Sequence, residues 1–125
     1  MDENALSSVI IRCALEVHRH LGPGLLESVY EEALCYELRE AGLVIERQKS
    51  VPIVYKGVNL GHDLRLDILV NGKVIVECKS LAENNPIFES QCLTYLKLSG
   101  LKLGMVMNFG MELMRQGINR VVNRL

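Results

Sequence analysis

The sequence contains no tryptophan, only three prolines and no low-complexity or repeated segment. These absences argue against a disordered tail, a proline-rich linker and a repeat array. No apolar run approaches the roughly 20 residues that a helix needs to cross a bilayer. With 125 residues the chain is long enough to bury one core and too short for two, so we expect residues 1–125 to form a single domain.

The four cysteines, at positions 13, 35, 78 and 92, form no Cys-x-x-Cys pair. This spacing argues against a zinc knuckle and an iron–sulfur cluster. Each cysteine lies among apolar neighbours, which predicts buried free thiols in a reducing compartment. The first four residues are acidic and polar, with no basic region before an apolar stretch, so we expect no secretory signal and a cytoplasmic location.

A basic excess is also lacking, because 14 basic residues face 15 acidic ones and the net charge is −1. Proteins that hold nucleic acid alone usually carry a strong positive excess, since phosphate neutralisation supplies most of the affinity. Only the C-terminal part is locally basic, through Lys97, Lys102, Arg115, Arg120 and Arg124. Nucleic-acid binding would therefore be weak, or assisted by a metal, by homodimerisation or by a partner protein that supplies basic surface.

Hydrophobic periodicity and turn residues predict three helices and six strands. Helices are expected over residues 4–20, 25–41 and 86–98, and strands over 44–55 (two pieces around Ser50), 62–70, 73–80, 103–108 and 117–122. Pro52 indicates an edge position or a bulge. The order α-α-β-β-β-β-α-β-β predicts an α/β sandwich with a mixed, hairpin-rich central sheet.

The segment from Asp67 to Lys79 carries two acids and a lysine at one end of an apolar hairpin. Its apolar set must lie on one face of the sheet: Leu66, Ile68, Val70, Val74, Val76 and Cys78. A two-residue Asn-Gly turn violates this condition, whereas a three-residue loop over 71–73, with Gly72 left-handed, satisfies it by pairing Val70 with Val74. That register sets Asp67 directly opposite Glu77.

Two carboxylates held this close favour a divalent cation between them, with Lys79 one pleat further along. The alternative is a solvated sheet face, where an acid-x-lysine pattern is common. Leu69 and Ile75 lie on the same face as the charges, which indicates that something covers it and that unpaired charge there would be costly. Cys78 points away from the acids and is not a candidate nucleophile.

Two helices carry further candidates. Glu27 and Tyr30 lie three residues apart on the second helix and share a face. Glu27 is either a helix-start acid or a third metal ligand, and Tyr30 is either a core tyrosine or a substrate contact. Gln91 and Tyr95 lie four apart on the third helix, where Gln91 is either a core polar group or a substrate contact.

Taken together, Gly24-x-x-Glu27-x-x-Tyr30, Asp67, Glu77-x-Lys79 and Gln91-x-x-x-Tyr95 resemble the GxxExxY protein family of the PD-(D/E)xK nuclease superfamily. The resemblance covers nearly the whole chain and implies a restriction-endonuclease-like α/β/α sandwich. The Gln-x-x-x-Tyr element is similar to the RecB-like and Cas4-like branch, without the iron–sulfur cysteines of many Cas4-like members. Leu66 stands where many members carry proline, a position that varies widely.

The resemblance and the hairpin together predict a metal-dependent nuclease that hydrolyses phosphodiester bonds, with DNA as the expected partner. Asp67 and Glu77 would bind Mg²⁺, or Mn²⁺, with Glu27 helping directly or through water, and Lys79 would orient the attacking water or steady developing charge. The expected substrate contacts are Gln91, Tyr95 and Tyr30. Two alternatives remain open: a catalytically silent nucleic-acid-binding or regulatory module, and a dimeric junction resolvase.

Overall fold

Local signals in the sequence set the ends of the helices. The side chain of Asp2 accepts a hydrogen bond from the Ala5 amide and caps the first helix. Asn85 caps the third helix in the same way, with Pro86 in its first turn and Gly100, at φ 74°, at its end.

The computed structural model describes residues 1–125. It contains α1 (Glu3–Leu21), α2 (Glu27–Glu40), β1 (Ile45–Tyr55), β2 (Val58–Val70), β3 (Val74–Lys79), α3 (Pro86–Ser99), β4 (Leu103–Asn108), a 3₁₀ turn (Met114–Gln116) and β5 (Ile118–Val122).

The strands form one mixed sheet in the order β1-β2-β3-β4-β5. Every neighbouring pair is antiparallel except β3 and β4, which are parallel and connected through α3. The sheet has five strands where the sequence predicted six. The break expected at Ser50 was wrong, because Ser50 pairs with Arg65 and the strand continues to Tyr55. Pro52 lies on the edge strand, directly before a register shift, as expected.

Helices cover both faces of the sheet and create two hydrophobic cores. The larger core joins α1 and α2 to one face, and the smaller core joins α3 to the other. The chain therefore folds as the predicted α/β/α sandwich. Leu69 and Ile75 belong to the smaller core, so α3 is the cover that the apolar residues on the charged face required.

The hairpin of β2 and β3 has the predicted register, with Val70 opposite Val74 and Ile68 opposite Val76. Gly72 is left-handed at φ 65°, as expected for the three-residue loop. Leu66 is a correction: it belongs to the smaller core and not to the face of Ile68. The strict alternation fails because β2 pairs with β3 only from Ile68 onwards, and the residue across from Asp67 on β1, Gln48, has φ 51°.

All four cysteines are free and buried, as expected from their apolar neighbours. Burial is the main cause that raises the pKa of the Cys35 thiol to about 11 and of the Cys92 thiol to about 12. Thiols in this state are packing groups with little nucleophilic character at neutral pH. None of the helices is long and apolar enough to span a bilayer.

The contact between α3 and β4 depends on a glycine, which leads to a first prediction. A Cβ atom at Gly104 would overlap the Cys92 sulfur, so Gly104→Ala is expected to lower the free energy of unfolding by about 1–3 kcal/mol. Because Cys92→Ala removes that sulfur, the double variant should lose less stability than the two single losses added together. Urea unfolding of the four proteins in this cycle measures the coupling. Strict additivity would contradict the close packing of the helix on this strand.

Candidate active site

The two acids of the hairpin meet where β2 separates from β3. The backbone amide of Asp67 donates to Glu77 Oε2 at 3.2 Å, and the Cys78 amide donates to Asp67 Oδ2 at 2.9 Å. The Asp67 carboxylate therefore occupies the ladder position where a strand–strand bond would otherwise form. The geometry therefore brings the two predicted acids side by side and fixes each carboxyl group through a backbone amide of the other strand.

Glu77 is the more buried member of the pair, with 7% of its surface exposed. Its Oε1 atom is buried and has no hydrogen-bond partner. Burial, then the hydrogen bond and negative charge of Asp67, raises the pKa of Glu77 to about 9. A neighbouring cation would reverse this preference for the protonated form, because it would compensate the charge of both carboxylates.

Asp67 also borders a small cavity beneath the first turn of α2. The cavity has a volume of about 210 Å³, and its lining residues are Glu27, Ser28, Glu31, Gln48, Asp67 and Cys78. Glu27 is exposed at the rim, at the first position of the helix. No three histidine, cysteine, aspartate or glutamate side chains converge in a metal-binding arrangement. The structure thus joins Asp67 and Glu77, and leaves Glu27 across the cavity from Asp67.

Glu31 is a fourth acid of this region that the sequence reasoning did not single out. It is buried, lies one turn after Glu27, and accepts hydrogen bonds from Arg47 at 2.8 Å and Gln48 at 2.9 Å. Arg47 also pairs with the exposed Glu32. The four-residue spacing from Glu27 was the available signal, since it puts both acids on one helix face. The partners on β1 could not be inferred, because the left-handed backbone at Gln48 depends on strand pairing.

Lys79 lies two residues beyond Glu77 on the same strand, and so on the same side of the sheet. Its ammonium group lies 4.6 Å from the centre of the Phe88 ring on α3 and forms no ion pair. An aromatic face steadies an ammonium by a modest amount, on the order of 1 kcal/mol, without neutralising its charge. The lysine therefore remains available to an anionic ligand beside the carboxylates.

The two candidates on α3 differ in their relation to the acids. Tyr95 is half-buried, and its pKa is raised first by burial and then by the charges of Glu77 and Asp67. The negative charges of Glu77 and Asp67 therefore act on the Tyr95 hydroxyl. Gln91 is exposed one turn earlier and makes no hydrogen bond within the protein. Its amide is free to bind a ligand from solvent.

Tyr30 corrects the expectation of a substrate contact. The side chain is fully buried and stacks on Phe109, with the ring centres 4.8 Å apart. Its hydroxyl donates to the Gly22 carbonyl and accepts from the Leu25 amide. Both hydrogen-bonding roles are thus used to hold the glycine-rich loop that precedes α2. Tyr30 positions the first turn of α2, and with it Glu27, from inside the core.

The loop that follows Lys79 is held by a buried asparagine, Asn108, which pairs with Lys79 across β3 and β4. The Asn108 side-chain oxygen accepts from the amides of Leu81 and Gly110, and its nitrogen donates to Glu83 and Asn84. Ser80 donates to the carbonyl of Leu25 in the loop before α2. The strand end that carries Lys79 is therefore tied to both neighbouring segments.

Comparison with known families agrees with this geometry. A family model described as the PD-(D/E)XK nuclease superfamily matches residues 4–121. The chain belongs to the PD-(D/E)XK nuclease superfamily. No curated protein and no solved structure matches the chain significantly.

Superfamily membership implies a fold built to act on nucleic acid, and nucleases of this superfamily generally use divalent metal ions. The residues of this chain fit such an ion, because the partnerless Glu77 Oε1 lies beside a second carboxylate. Oxygen ligands of this kind suit hard divalent cations. The placement in the GxxExxY family and in the RecB-like and Cas4-like branch stays a prediction.

The raised pKa of Glu77 predicts how stability depends on pH in the metal-free protein. Between about pH 4.5 and 9 the folded state keeps a proton that the unfolded chain releases, so stability should fall as pH rises. The slope due to this group is at most about 1.4 kcal/mol per pH unit, and Glu77→Gln should remove it. Urea unfolding in EDTA at a series of pH values from 5 to 9 measures the slope of stability against pH for each protein. The exposed Glu83→Gln should keep the wild-type slope, whereas a Glu77→Gln protein with that same slope would refute the assignment.

Proposed function

We propose that the protein is a metal-dependent nuclease that hydrolyses phosphodiester bonds in DNA. The observation that carries the proposal is that Asp67 and Glu77 lie side by side, each bound to a backbone amide of the other's strand. One Glu77 oxygen is buried without a partner, and an unpaired lysine, Lys79, lies two residues further on. A structural role for the pair is a poor explanation, since two adjacent acids oppose folding when neither has a cation. A bound cation would explain why the two acids lie side by side and why a buried oxygen of Glu77 has no partner in the protein.

In this proposal Asp67 and Glu77 hold Mg²⁺ or Mn²⁺, and Glu27 acts across the small cavity through water. The bound cation would supply Lewis-acid stabilisation of the charge that develops on the scissile phosphate. Asp67 is held by the Cys78 amide, so its free oxygen is oriented before a ligand arrives. Glu31 braces the same cavity through Arg47 and Gln48, which keeps the left-handed turn of β1 in place.

Lys79 and α3 would contact the substrate itself. The ammonium of Lys79, held over Phe88, would bind a phosphate oxygen or orient the attacking water. Tyr95 and Gln91 lie on the same helix, one beside the acids and one in solvent, and would contact the phosphates on either side. The proton of the attacking water would go to bulk solvent or to the substrate, because no histidine lines the cavity beside Asp67.

The proposal predicts strong and selective losses of cleavage. Lys79→Ala is expected to lower kcat by about 10²–10³-fold, because a charge that acts in the transition state is removed. Lys73→Ala, on the exposed turn of the same hairpin, is the matched control and should cleave as the wild type does. Labelled single-stranded, duplex and branched DNA, with RNA alongside, incubated in Mg²⁺, Mn²⁺ or EDTA, provide the measurement.

The double variant Asp67→Ala with Lys79→Ala checks the source of any activity. Cleavage that survives in it at the wild-type rate would come from a contaminant or another site and would sink the assignment. Loss in the double variant together with full activity in Lys73→Ala would support it. Circular dichroism of each protein separates lost chemistry from lost folding.

The second candidate is a catalytically silent nucleic-acid-binding or regulatory module. One observation favours it: no three potential metal ligands converge, so the ion site has only two direct carboxylates. Calorimetry with Mg²⁺ and Mn²⁺ distinguishes the two. The nuclease should bind at millimolar metal or tighter, gain about 2.7 kcal/mol of stability at a concentration 100 times its Kd, and lose both effects in Glu77→Gln. A wild-type protein that binds neither metal at millimolar concentration would favour the module.

A further inference from the structure

A second cavity lies away from the carboxylates, at the opposite end of the sheet. Its volume is about 590 Å³, and it is lined by Lys97, Gly100, Leu101, Lys102, Asn123 and Arg124. Lys102 directly precedes β4, and Arg124 lies two residues after the end of β5. The cavity therefore collects the end of α3, the start of β4 and the end of β5 at one corner of the domain.

The cavity is basic and carries no compensating charge. Three of its six lining residues are cations, and none is an acid. None of the three takes part in an ion pair or donates a side-chain hydrogen bond, although other basic residues of the chain do. Three like charges around one concave space repel one another, and an anion placed between them would relieve that repulsion.

The backbone of this corner is held in place independently of the cations. The Asn123 amide donates to the Lys102 carbonyl at 2.8 Å, and the Asn123 side chain donates to the Leu101 carbonyl at 3.0 Å. Leu101 in turn donates from its amide to the carbonyl of Leu96. The wall between α3 and β5 is therefore braced by hydrogen bonds, so its shape does not depend on an anion being bound.

The position of the cavity relates it to the carboxylate site. Lys79 pairs with Asn108 at one end of β4, and the cavity lies just before Leu103 at the other end. Five strand steps of about 3.3 Å put roughly 17 Å between these ends. Helix α3 covers the same path, with Phe88 beside Lys79 and Lys97 in the cavity wall.

We propose that this cavity binds a backbone phosphate of the nucleic acid, about 17 Å along the sheet from the phosphate at Lys79. The inference rests on the proposed function for the nature of the ligand. It also explains how a chain of net charge −1 holds a polyanion: the required positive charge is concentrated at one corner and not spread over the surface. Substrate would then lie along the exposed side of α3, past Gln91.

The test compares two triple variants that remove the same charge. The first is Lys97→Gln with Lys102→Gln and Arg124→Gln. The control is Arg12→Gln with Arg19→Gln and Arg39→Gln, three exposed cations on α1 and α2. Anisotropy of a labelled 20-base-pair duplex, in EDTA and over 50–200 mM KCl, gives affinity without turnover.

The cavity variant should bind at least about tenfold more weakly at 50 mM KCl, and the slope of log K against log salt should become shallower by about 1–3. The control variant should stay closer to the wild type in both quantities. Equal slopes and affinities for the two variants would overturn the proposal. If the triple variant fails to fold, Arg124→Gln alone replaces it, because Arg124 is exposed beyond β5. This single variant should also weaken duplex binding and make the salt slope shallower, by a smaller amount.

Two further measurements separate the possible results. The amide resonances of Gly100 and Leu101 should shift when the duplex is added. If they shift with inorganic phosphate and do not shift with the duplex, the cavity is a site for a free anion and the proposal is overturned. With Mg²⁺ present, the cavity variant should raise KM and leave kcat unchanged. If the wild type binds duplex through the cavity but never cleaves it, the proposed function fails and this inference stands.

Discussion

The structure around the candidate site depends on one unfavourable interaction: two carboxyl groups held against each other where two strands separate. Asp67 takes the hydrogen bond of the Cys78 amide, and Glu77 takes that of Asp67, so neither side chain can turn away without losing a backbone partner. Burial then shifts Glu77 towards its protonated form. Two adjacent acids keep this arrangement only when the surrounding structure holds them in place, and all three layers of the sandwich help to hold them.

Each layer supplies one part of this support. From inside the core, Tyr30 fixes the loop before α2, and α2 presents Glu27 and Glu31 above Asp67. From the edge of the sheet, Arg47 and Gln48 hold Glu31. From the opposite face, α3 brings Phe88 to Lys79 and Tyr95 towards Glu77. The acids and the lysine thus lie between α2, which borders the cavity at Asp67, and α3, which brings Phe88 to Lys79.

The distribution of charge along the sheet is as informative as its sum. The net charge of −1 suggests little affinity for a polyanion, yet the acids of the site gather at one end of the sheet and an unpaired basic cavity lies at the other. An average over the chain hides this separation. In a domain this small, two contacts about 17 Å apart are enough to orient an extended ligand along one helix.

Much of this architecture follows from the sequence itself. The apolar alternation in the hairpin favoured a three-residue loop that pairs Val70 with Val74, because a one-residue slip would turn the apolar set to the opposite face, and the sheet adopts that pairing. Capping residues and glycines placed the ends of α1 and α3, since these signals act within a few residues. The register also predicted Asp67 directly opposite Glu77, but the ladder ends at Ile68, and the two acids are instead linked by bonds between side chain and backbone.

Other features depend on contacts between distant segments, which a single sequence does not reveal. Leu66 left its expected face because β2 does not pair with β3 before Ile68. Tyr30 lies in the core and not at the substrate because it stacks on Phe109. Glu31 acquired its partners only when β1 lay beside α2. Local rules set the helices, the strands and the spacing of charges. Packing between layers alone decided which polar groups are buried, paired or exposed, because burial is a property of the whole fold.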